Sequence, residues 1–137
     1  MNKDTFDAVI DIRKLIDVPE ITEVFGAKIW NHYMPPGAKG VNIVVKTLYG
    51  TNQFIQQFNI NVNVHVPNIT SNGVHNTPDL TTFHKLSKVI IPLLDDKYQY
   101  DYWTEVLRTS DVYREPDMSH FQTIQLKLRS IQLKSSI

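Results

Sequence analysis

Residues 47–78 form a run of 32 residues without Asp, Glu, Lys or Arg, although 20% of the chain is charged and about six such residues would be expected there. Within it, residues 58–66 alternate strictly between apolar and polar. This period predicts a β-strand with one buried face and a second face of three Asn and one His. Natural edge strands usually carry Lys, Pro or inward charges against further pairing. Because this strand lacks them, we expect its own sheet or another copy of the chain to cover it.

The composition excludes several classes of protein. Lys and Arg together number 14, as do Asp and Glu, so no net field attracts nucleic acid or an anionic membrane. Without cysteine, the chain cannot form disulfides, thiolate metal sites or a Cys nucleophile. The first residues lead into an acidic amphipathic segment, and the longest apolar run, residues 89–94, is too short for a membrane span. We expect one soluble domain, residues 1–137, that is either cytoplasmic or assembled in a cytoplasm and that does not bind a membrane.

Three segments carry helix signals. Each begins with an Asp that can cap a helix, and apolar residues at helical spacing follow. The predicted helices cover residues 4–16, 17–26 and 79–94. Pro92 should kink or end the third helix early, because proline lacks the N–H group that a helix interior needs.

Four segments are rich in β-branched or aromatic residues and predict strands. They are residues 41–48, 53–66, 98–114 and 121–131. The first two form a hairpin around residues 49–52. At about 3.4 Å per residue the second would span roughly 45 Å, more than the diameter of about 37 Å of a compact domain of this size, so the hairpin should bend sharply or protrude. We expect a bulge at Gln56 and Gln57 and a long loop over residues 67–78.

The order of these segments predicts an α+β fold. We expect an antiparallel sheet of about four to five strands, with a long protruding β-hairpin and with helices packed on one face.

The histidines and acids give little sign of catalytic chemistry. His65 shares a strand face with Asn59, Asn61 and Asn63, which is compatible with a small polar site, but a solvated or inter-subunit face is the favoured interpretation. Asp95, Asp96 and Asp101 resemble paired carboxylates, yet a solvated turn after the third helix explains them as well. No Gly-rich phosphate loop and no Gly-x-Ser-x-Gly motif occur. We therefore predict no catalytic residues, no metal and no cofactor.

An aromatic cluster of Tyr98, Tyr100, Tyr102 and Trp103 supplies an alternative function. Such a cluster can stack on sugars or bases, but without interleaved Lys or Arg it does not favour nucleic acid. Tyr and Trp at strand spacing are also typical of a half-buried core or a protein interface. The alternative function is a carbohydrate- or protein-binding module.

Several short motifs follow one another in order. They are Gly-Ala-Lys-Ile-Trp at 26–30 after a short capped helix, Pro-Pro-Gly at 35–37, an Ile/Val-rich strand at 41–45, Gln57 before the alternating strand, and Glu-Pro-Asp at 115–117 before the last strand. Across roughly residues 5–130, this ordered set resembles the phage tail-completion family, which comprises the tail-terminator and head–tail connector (neck) proteins of long-tailed phages. Two features depart from it, a longer loop at 67–78 and an Asn-rich rather than charged strand face.

The resemblance implies a structural virion protein, assembled in the host bacterial cytoplasm, that forms a homo-oligomeric ring of six copies, or twelve as in some connectors. Its partners would be adjacent neck or tail-tube proteins, with DNA only as cargo through the ring channel. The family has no catalytic residues. We expect subunit or ring contacts at the first turn, on the Asn-rich face and in the long loop. The expected contact residues are Tyr49, Gly50, Thr51, Asn52, Gln53, Asn59, Asn61, Asn63, His65, Asn72 and His75.

Overall fold

The computed structural model describes residues 3–51 and 53–131, which form an α+β fold with three helices and a mixed sheet of six strands. The helices are α1 (Thr5–Ile16), α2 (Pro19–Thr22) and α3 (Leu80–Leu94). The strands are β1 (Lys28–Asn31), β2 (Asn42–Gly50), β3 (Ile55–Val66), β4 (Ile69–Ser71), β5 (Val74–Thr77), β6 (Trp103–Thr109), β7 (Tyr113–Arg114) and β8 (His120–Ile131).

Two of the three predicted helix starts are confirmed by their caps. The second is wrong, because Asp17 ends α1, and Val18 precedes α2 without a side-chain hydrogen bond. Asp4 accepts a hydrogen bond from Asp7 N at 2.8 Å, and Asp7 accepts one from Asp4 N at 3.0 Å, which completes a capping box. Asp79 caps α3 through Thr82 N at 3.1 Å. The predicted end near Leu94 is confirmed, so of the two effects expected of Pro92, a kink or an early end, the early end is wrong. Pro92 lies in the last turn, where its missing N–H removes a single intrahelical bond.

The sheet is mixed rather than antiparallel, and it has six strands rather than four to five. Its order is β1-β2-β3-β8-β6, and β7 also pairs with β8. β1 runs parallel to β2, whereas the other pairs are antiparallel. The parallel pair arises because residues 32–41 carry the chain back to the start of β2. Positive φ angles at His32 (68°), Gly37 (76°) and Gly40 (78°) allow this reversal.

The uncharged strand β3 lies at the centre of the sheet. β2 pairs with it from Asn42 opposite His65 to Gly50 opposite Phe58, so the expected hairpin pairing is present. All of β3, from Ile55 to Val66, also pairs with β8. The two strands are equally long, at 12 residues each, so β3 remains within the sheet instead of extending beyond it. The cover that the sequence requires on both edges of β3 therefore comes from its own sheet.

The bulge lies on β2 between Thr47 and Tyr49, not at Gln56 and Gln57. Gln56 instead stays in regular pairing and is buried beside the first described residues. Its Nε2 donates to Lys3 O at 2.9 Å, and its Oε1 accepts from Lys3 N at 3.0 Å. Main-chain groups therefore satisfy the hydrogen bonds of the Gln56 side chain on the apolar face of the sheet, so no bulge is needed to turn this side chain towards solvent.

Alternate residues of β3 and β8 pack with both long helices in one core. Ile60, Val62 and Val64 of β3 belong to it, as do residues of α1 and α3. The helix residues in this core include Ala8, Val9, Ile12, Ile16, Phe83, Leu86, Ile90 and Leu94. The intervening polar residues of β3 therefore point to the opposite face of the sheet.

The segment predicted as a long loop contains a second hairpin, which we call the arm (residues 67–78). β4 and β5 pair in it, with Ser71 opposite Val74, as a separate two-stranded sheet. Asn72 and Gly73 form the turn with φ of 51° and 77°, the positive angles that a type I′ turn requires. Asn-Gly is the strongest short sequence signal for such a turn, and it was available in the sequence.

Candidate inter-subunit surface

The face of the sheet opposite the helices, here called the open face, consists of cross-strand rows of side chains. One row runs Lys46, Asn61, Gln125, Arg108, and the next runs Val44, Asn63, Thr123. The amides at the centre are uncharged and half-buried among their neighbours. A third row runs Asn59, Lys127, Glu105, so the amides of β3 lie among charged residues of both signs.

Two polar atoms in the middle of the open face are buried without a hydrogen-bond partner among the described residues. They are Nδ2 of Asn59, a donor, and Oδ1 of Asn61, an acceptor. Asn63 differs, because its Oδ1 accepts from Thr123 Oγ1 at 2.7 Å. An unpaired buried polar group costs about 1–3 kcal/mol. A contact that brings an acceptor to Asn59 and a donor to Asn61 would remove this cost.

His65 lies at one end of the open face in an aromatic setting. Its ring stacks on Phe121 with 5.7 Å between centroids, and Tyr113 lies 6.1 Å from Phe121. Burial lowers the pKa of His65, and the charges of Glu115 and Asp117 offset part of that effect. Two neighbouring cavities of about 430 and 410 Å³ both include His65 and Glu115 in their walls. The ring of His65 therefore packs among the aromatic residues at this end of the face.

The β2–β3 turn, which we call the tip (residues 48–55), is uncharged and exposes large apolar side chains. Leu48 is 51% exposed, Tyr49 59%, Phe54 66% and Ile55 47%. Of the expected contact residues here, Gly50 and Gln53 are exposed and Thr51 is half-buried. Asn52 lies outside the described residues. Contiguous exposed apolar side chains of this kind mark interaction sites.

The arm lies at the other end of β3 from the tip. Asn68 fixes its base, because its Oδ1 lies 2.7 Å from His120 Nδ1 and its Nδ2 donates to Met118 O at 2.6 Å. Asn72 is exposed at the turn, and His75 lies in β5. Twelve residues of β3 at about 3.3 Å each separate the arm from the tip by roughly 40 Å.

The expected contact residues therefore do not form one compact site. Asn59, Asn61, Asn63 and His65 line the open face along β3. The tip and the arm, with the remaining residues, lie beyond its two ends. This arrangement suits a chain that contacts different neighbours at its two ends and along one face, because no single small ligand spans such a distance.

The aromatic cluster separates into a buried residue and an exposed pair. A tight turn, closed by Gln99 N donating to Tyr102 O at 2.8 Å, places Tyr98 and Tyr100 in solvent. Tyr102 is buried, and its hydroxyl donates to Asp11 O at 3.4 Å. Burial, together with the charge of Asp11, raises its pKa to about 12. Tyr102 is therefore a packing residue, and a stacking platform would consist of Tyr98, Tyr100 and Trp103 around a cavity of about 340 Å³.

Asp95 and Asp101, which resemble paired carboxylates in the sequence, have separate partners in the structure. Asp101 binds Lys3 Nζ at 2.8 Å, and Lys3 also lies 2.7 Å from Asp11. Asp95 accepts a hydrogen bond from Val106 N at 2.9 Å. Burial raises the pKa of Asp11, and Lys3 partly offsets this. Burial lowers the pKa of Lys3, but the hydrogen bonds that its ammonium group donates to Asp101 and Asp11, with the charges of these two carboxylates, outweigh burial, so the net pKa is raised. These acids serve structural roles.

Within residues 3–51 and 53–131, no group of three or more His, Cys, Asp or Glu side chains is placed to hold a metal ion. None of the described helices is both long and apolar enough to cross a membrane. Comparison of the sequence with protein-family models and with curated proteins gives no match to either.

Proposed function

We propose that this chain is a structural virion protein of a tailed phage that forms an oligomeric ring at the head–tail junction, as a tail-completion (terminator) protein or a neck connector. Six copies are the favoured number and twelve the alternative. The ring would contact neighbouring neck or tail-tube proteins, and DNA would pass through its channel only as cargo. The proposed role needs no cofactor and no catalytic group.

The observation that carries this proposal is the open face. The helices cover one side of the sheet, and the other side presents uncharged amides, of which Asn59 and Asn61 have buried polar atoms without described partners. A sheet face with unpaired polar groups at its centre suits permanent contact with another protein surface better than lasting exposure to water.

The tip and the arm support a position between two neighbours. They lie at opposite ends of β3, and both are uncharged. The tip adds exposed apolar area through Leu48, Tyr49, Phe54 and Ile55. Each hairpin is therefore available for contact with a neighbouring copy of the chain or with an adjacent component.

Measurement of the mass of the full chain in solution tests the proposal. Sedimentation velocity at micromolar concentration should give a particle of about 95 kDa for six copies of the 15.8 kDa chain. Negative-stain microscopy should then show rings with a central channel. A well-behaved 15.8 kDa monomer would contradict the proposal.

A matched pair of variants identifies the surface. Asn61→Arg places a charge in the middle of the open face and should dissociate the ring. His84→Arg adds the same charge on the exposed side of α3 and should leave the ring intact. Equal assembly of both variants would exclude the open face as the contact.

Sugar binding at the aromatic turn is the second candidate function. Tyr98 and Tyr100 are 73% and 104% exposed beside the cavity that Trp103 helps to line. Exposed aromatic rings around an apolar cavity are able to stack on a sugar ring. Fluorescence titration of Trp103 with a panel of glycans, in a Trp30→Phe background, should show saturable quenching that Tyr100→Ala abolishes. A flat response across the panel would remove this candidate.

A further inference from the structure

The outer edge of β2 is only half covered. β1 pairs with β2 from Asn42 to Val45, and the last backbone bond there is His32 N to Val45 O at 2.8 Å. His32 then adopts a φ of 68°, and the chain turns away. Residues 46–50 still pair with β3 on their inner side, but on their outer side they have no strand partner in the described chain. We call these five residues the free edge.

The opposite edge of the sheet is protected. On the outer side of β6, Thr104 N donates to Lys97 O at 2.8 Å, and Val106 N donates to Asp95 Oδ1 at 2.9 Å. A register shift between Val106 and Arg108 then interrupts the strand. Loops that cover the edge, bulges and charged side chains are the devices with which proteins prevent pairing at a strand edge. β2 also has a register shift, between Thr47 and Tyr49, and it carries Lys46, but among the described residues no loop hydrogen-bonds to its outer side beyond Val45, and this difference distinguishes the two edges.

The side chains of the free edge favour a partner that is uncharged and in an extended conformation. After Lys46 it contains no charge, and Leu48 and Tyr49 are about half exposed. A strand added here would gain main-chain hydrogen bonds, so it must offer an unpaired strand edge of its own and must not bring charges next to the apolar side chains.

The arm has these properties. It contains no charged residue, and within the described residues its strand β5 pairs with β4 alone. A two-stranded hairpin is marginally stable in water, and a third strand adds to its stability. The arm of the same chain does not supply this strand. Its base lies beyond the pair of His65 with Asn42, and Asn42 is already four residues, or about 14 Å, before the free edge, while its strands β4 and β5 pair with each other.

We propose that β5 of one subunit adds as a further strand to residues 46–50 of the next subunit. This inference rests on the proposed ring and names the contact that closes it. The added strand, β5, and the edge that receives it, residues 46–50, are different surfaces of the same chain, so the contact is head-to-tail. Repeated contacts of this kind close into a ring when the rotation between neighbouring subunits is a whole fraction of a turn.

Cysteine crosslinking tests the contact cleanly because the chain contains no native cysteine. Tyr49→Cys and Asn76→Cys, introduced into the same chain, should form disulfides between subunits on mild oxidation and give a ladder of covalent oligomers. Glu105→Cys with Asn76→Cys is the matched control on the protected β6 edge and should give no ladder. Ladders of equal strength from both pairs, or from neither, would overturn the inference.

An edge-blocking variant separates this inference from the proposed ring itself. Leu48→Lys places a charge on the free edge at an exposed position and should raise the concentration needed for assembly at least tenfold. Leu107→Lys makes the same change at the exposed Leu107 of β6 and should assemble normally. A wild-type ring that Leu48→Lys leaves intact would refute the arm contact and leave the ring standing. A wild-type monomer would refute both.

Discussion

Gln56 joins the central strand to the start of the chain by exchanging two hydrogen bonds with the main chain of Lys3, at 2.9 and 3.0 Å. Both groups of the amide are used, and the side chain is 3% exposed. The segment before α1 is thereby fixed beside β3, where Lys3 also reaches Asp11 and Asp101.

Removal of this amide should destabilise the fold. Gln56→Ala leaves the Lys3 N–H and carbonyl without their partners and should lower the free energy of unfolding by about 1–3 kcal/mol. Urea unfolding followed by circular dichroism measures the loss. Gln57→Ala is the control, since Gln57 is half-exposed and bonds Thr51 through its main-chain N–H and carbonyl, which the substitution keeps. Equal losses in the two variants would contradict the role of Gln56.

The buried phenol of Tyr102 predicts a late ionisation step. Its pKa of about 12 lies above the ordinary value of 10, so the folded chain holds the proton more tightly than the unfolded chain. The stability from this group is complete below pH 10 and is lost as pH rises towards 12. Absorbance titration of the phenolates should show a step near 12 that is missing in Tyr102→Phe. Its persistence in that variant would show that another group titrates there.

His65 predicts a loss of stability in mild acid. Because burial lowers its pKa below 6.5, the unfolded chain takes up the proton more readily than the folded chain. Well above pH 6.5, His65 is neutral in both states and does not change the free energy of unfolding. As pH falls below 6.5 towards the lower pKa of the folded state, protonation of His65 favours the unfolded chain and stability decreases. Urea unfolding at pH 7.5 and 5.0 should show a smaller difference for His65→Gln than for wild type. The matched His84→Gln variant, changed at an exposed helix position, should keep the wild-type difference.

Asp95 predicts an effect on association as well as on stability. Asp95→Ala leaves the Val106 N–H on the outer side of β6 without its partner, which should lower the free energy of unfolding by about 0.5–1.5 kcal/mol. It also removes a contact that protects this edge from pairing with another strand. Light scattering during storage should show faster aggregation. Asp96→Asn changes the neighbouring exposed acid and should aggregate as slowly as wild type. Faster aggregation of both variants would indicate lost charge rather than an opened edge.

Local sequence signals predicted those parts of the fold that depend on neighbouring residues. The caps at Asp4 and Asp79 and the alternation along β3 and β8 are such signals, and each has its expected place. The Asn-Gly turn of the arm is an equally local signal, and the long loop predicted there is wrong, because the segment contains a hairpin.

Other features depend on residues far apart in the chain and leave no local pattern. The parallel pairing of β1 with β2 follows from a return loop, and Gln56 meets Lys3 across 53 positions. Tyr102 looked like its exposed neighbours Tyr98 and Tyr100, yet it alone is buried, because Lys3 and Asp11 of the first segment close over it. Tertiary contacts of this kind decide burial, whereas spacing along the chain does not.

The pairing of β3 with β8 also sets an order of events on the ribosome. Val66 pairs with His120, so the uncharged strand is synthesised 54 residues before the first residue of the strand that covers one of its edges. At about 5–20 residues per second, this edge waits roughly 3–11 s for its partner. Nascent chains that stop before residue 120 should therefore bind chaperones and aggregate more readily than chains that have completed β8.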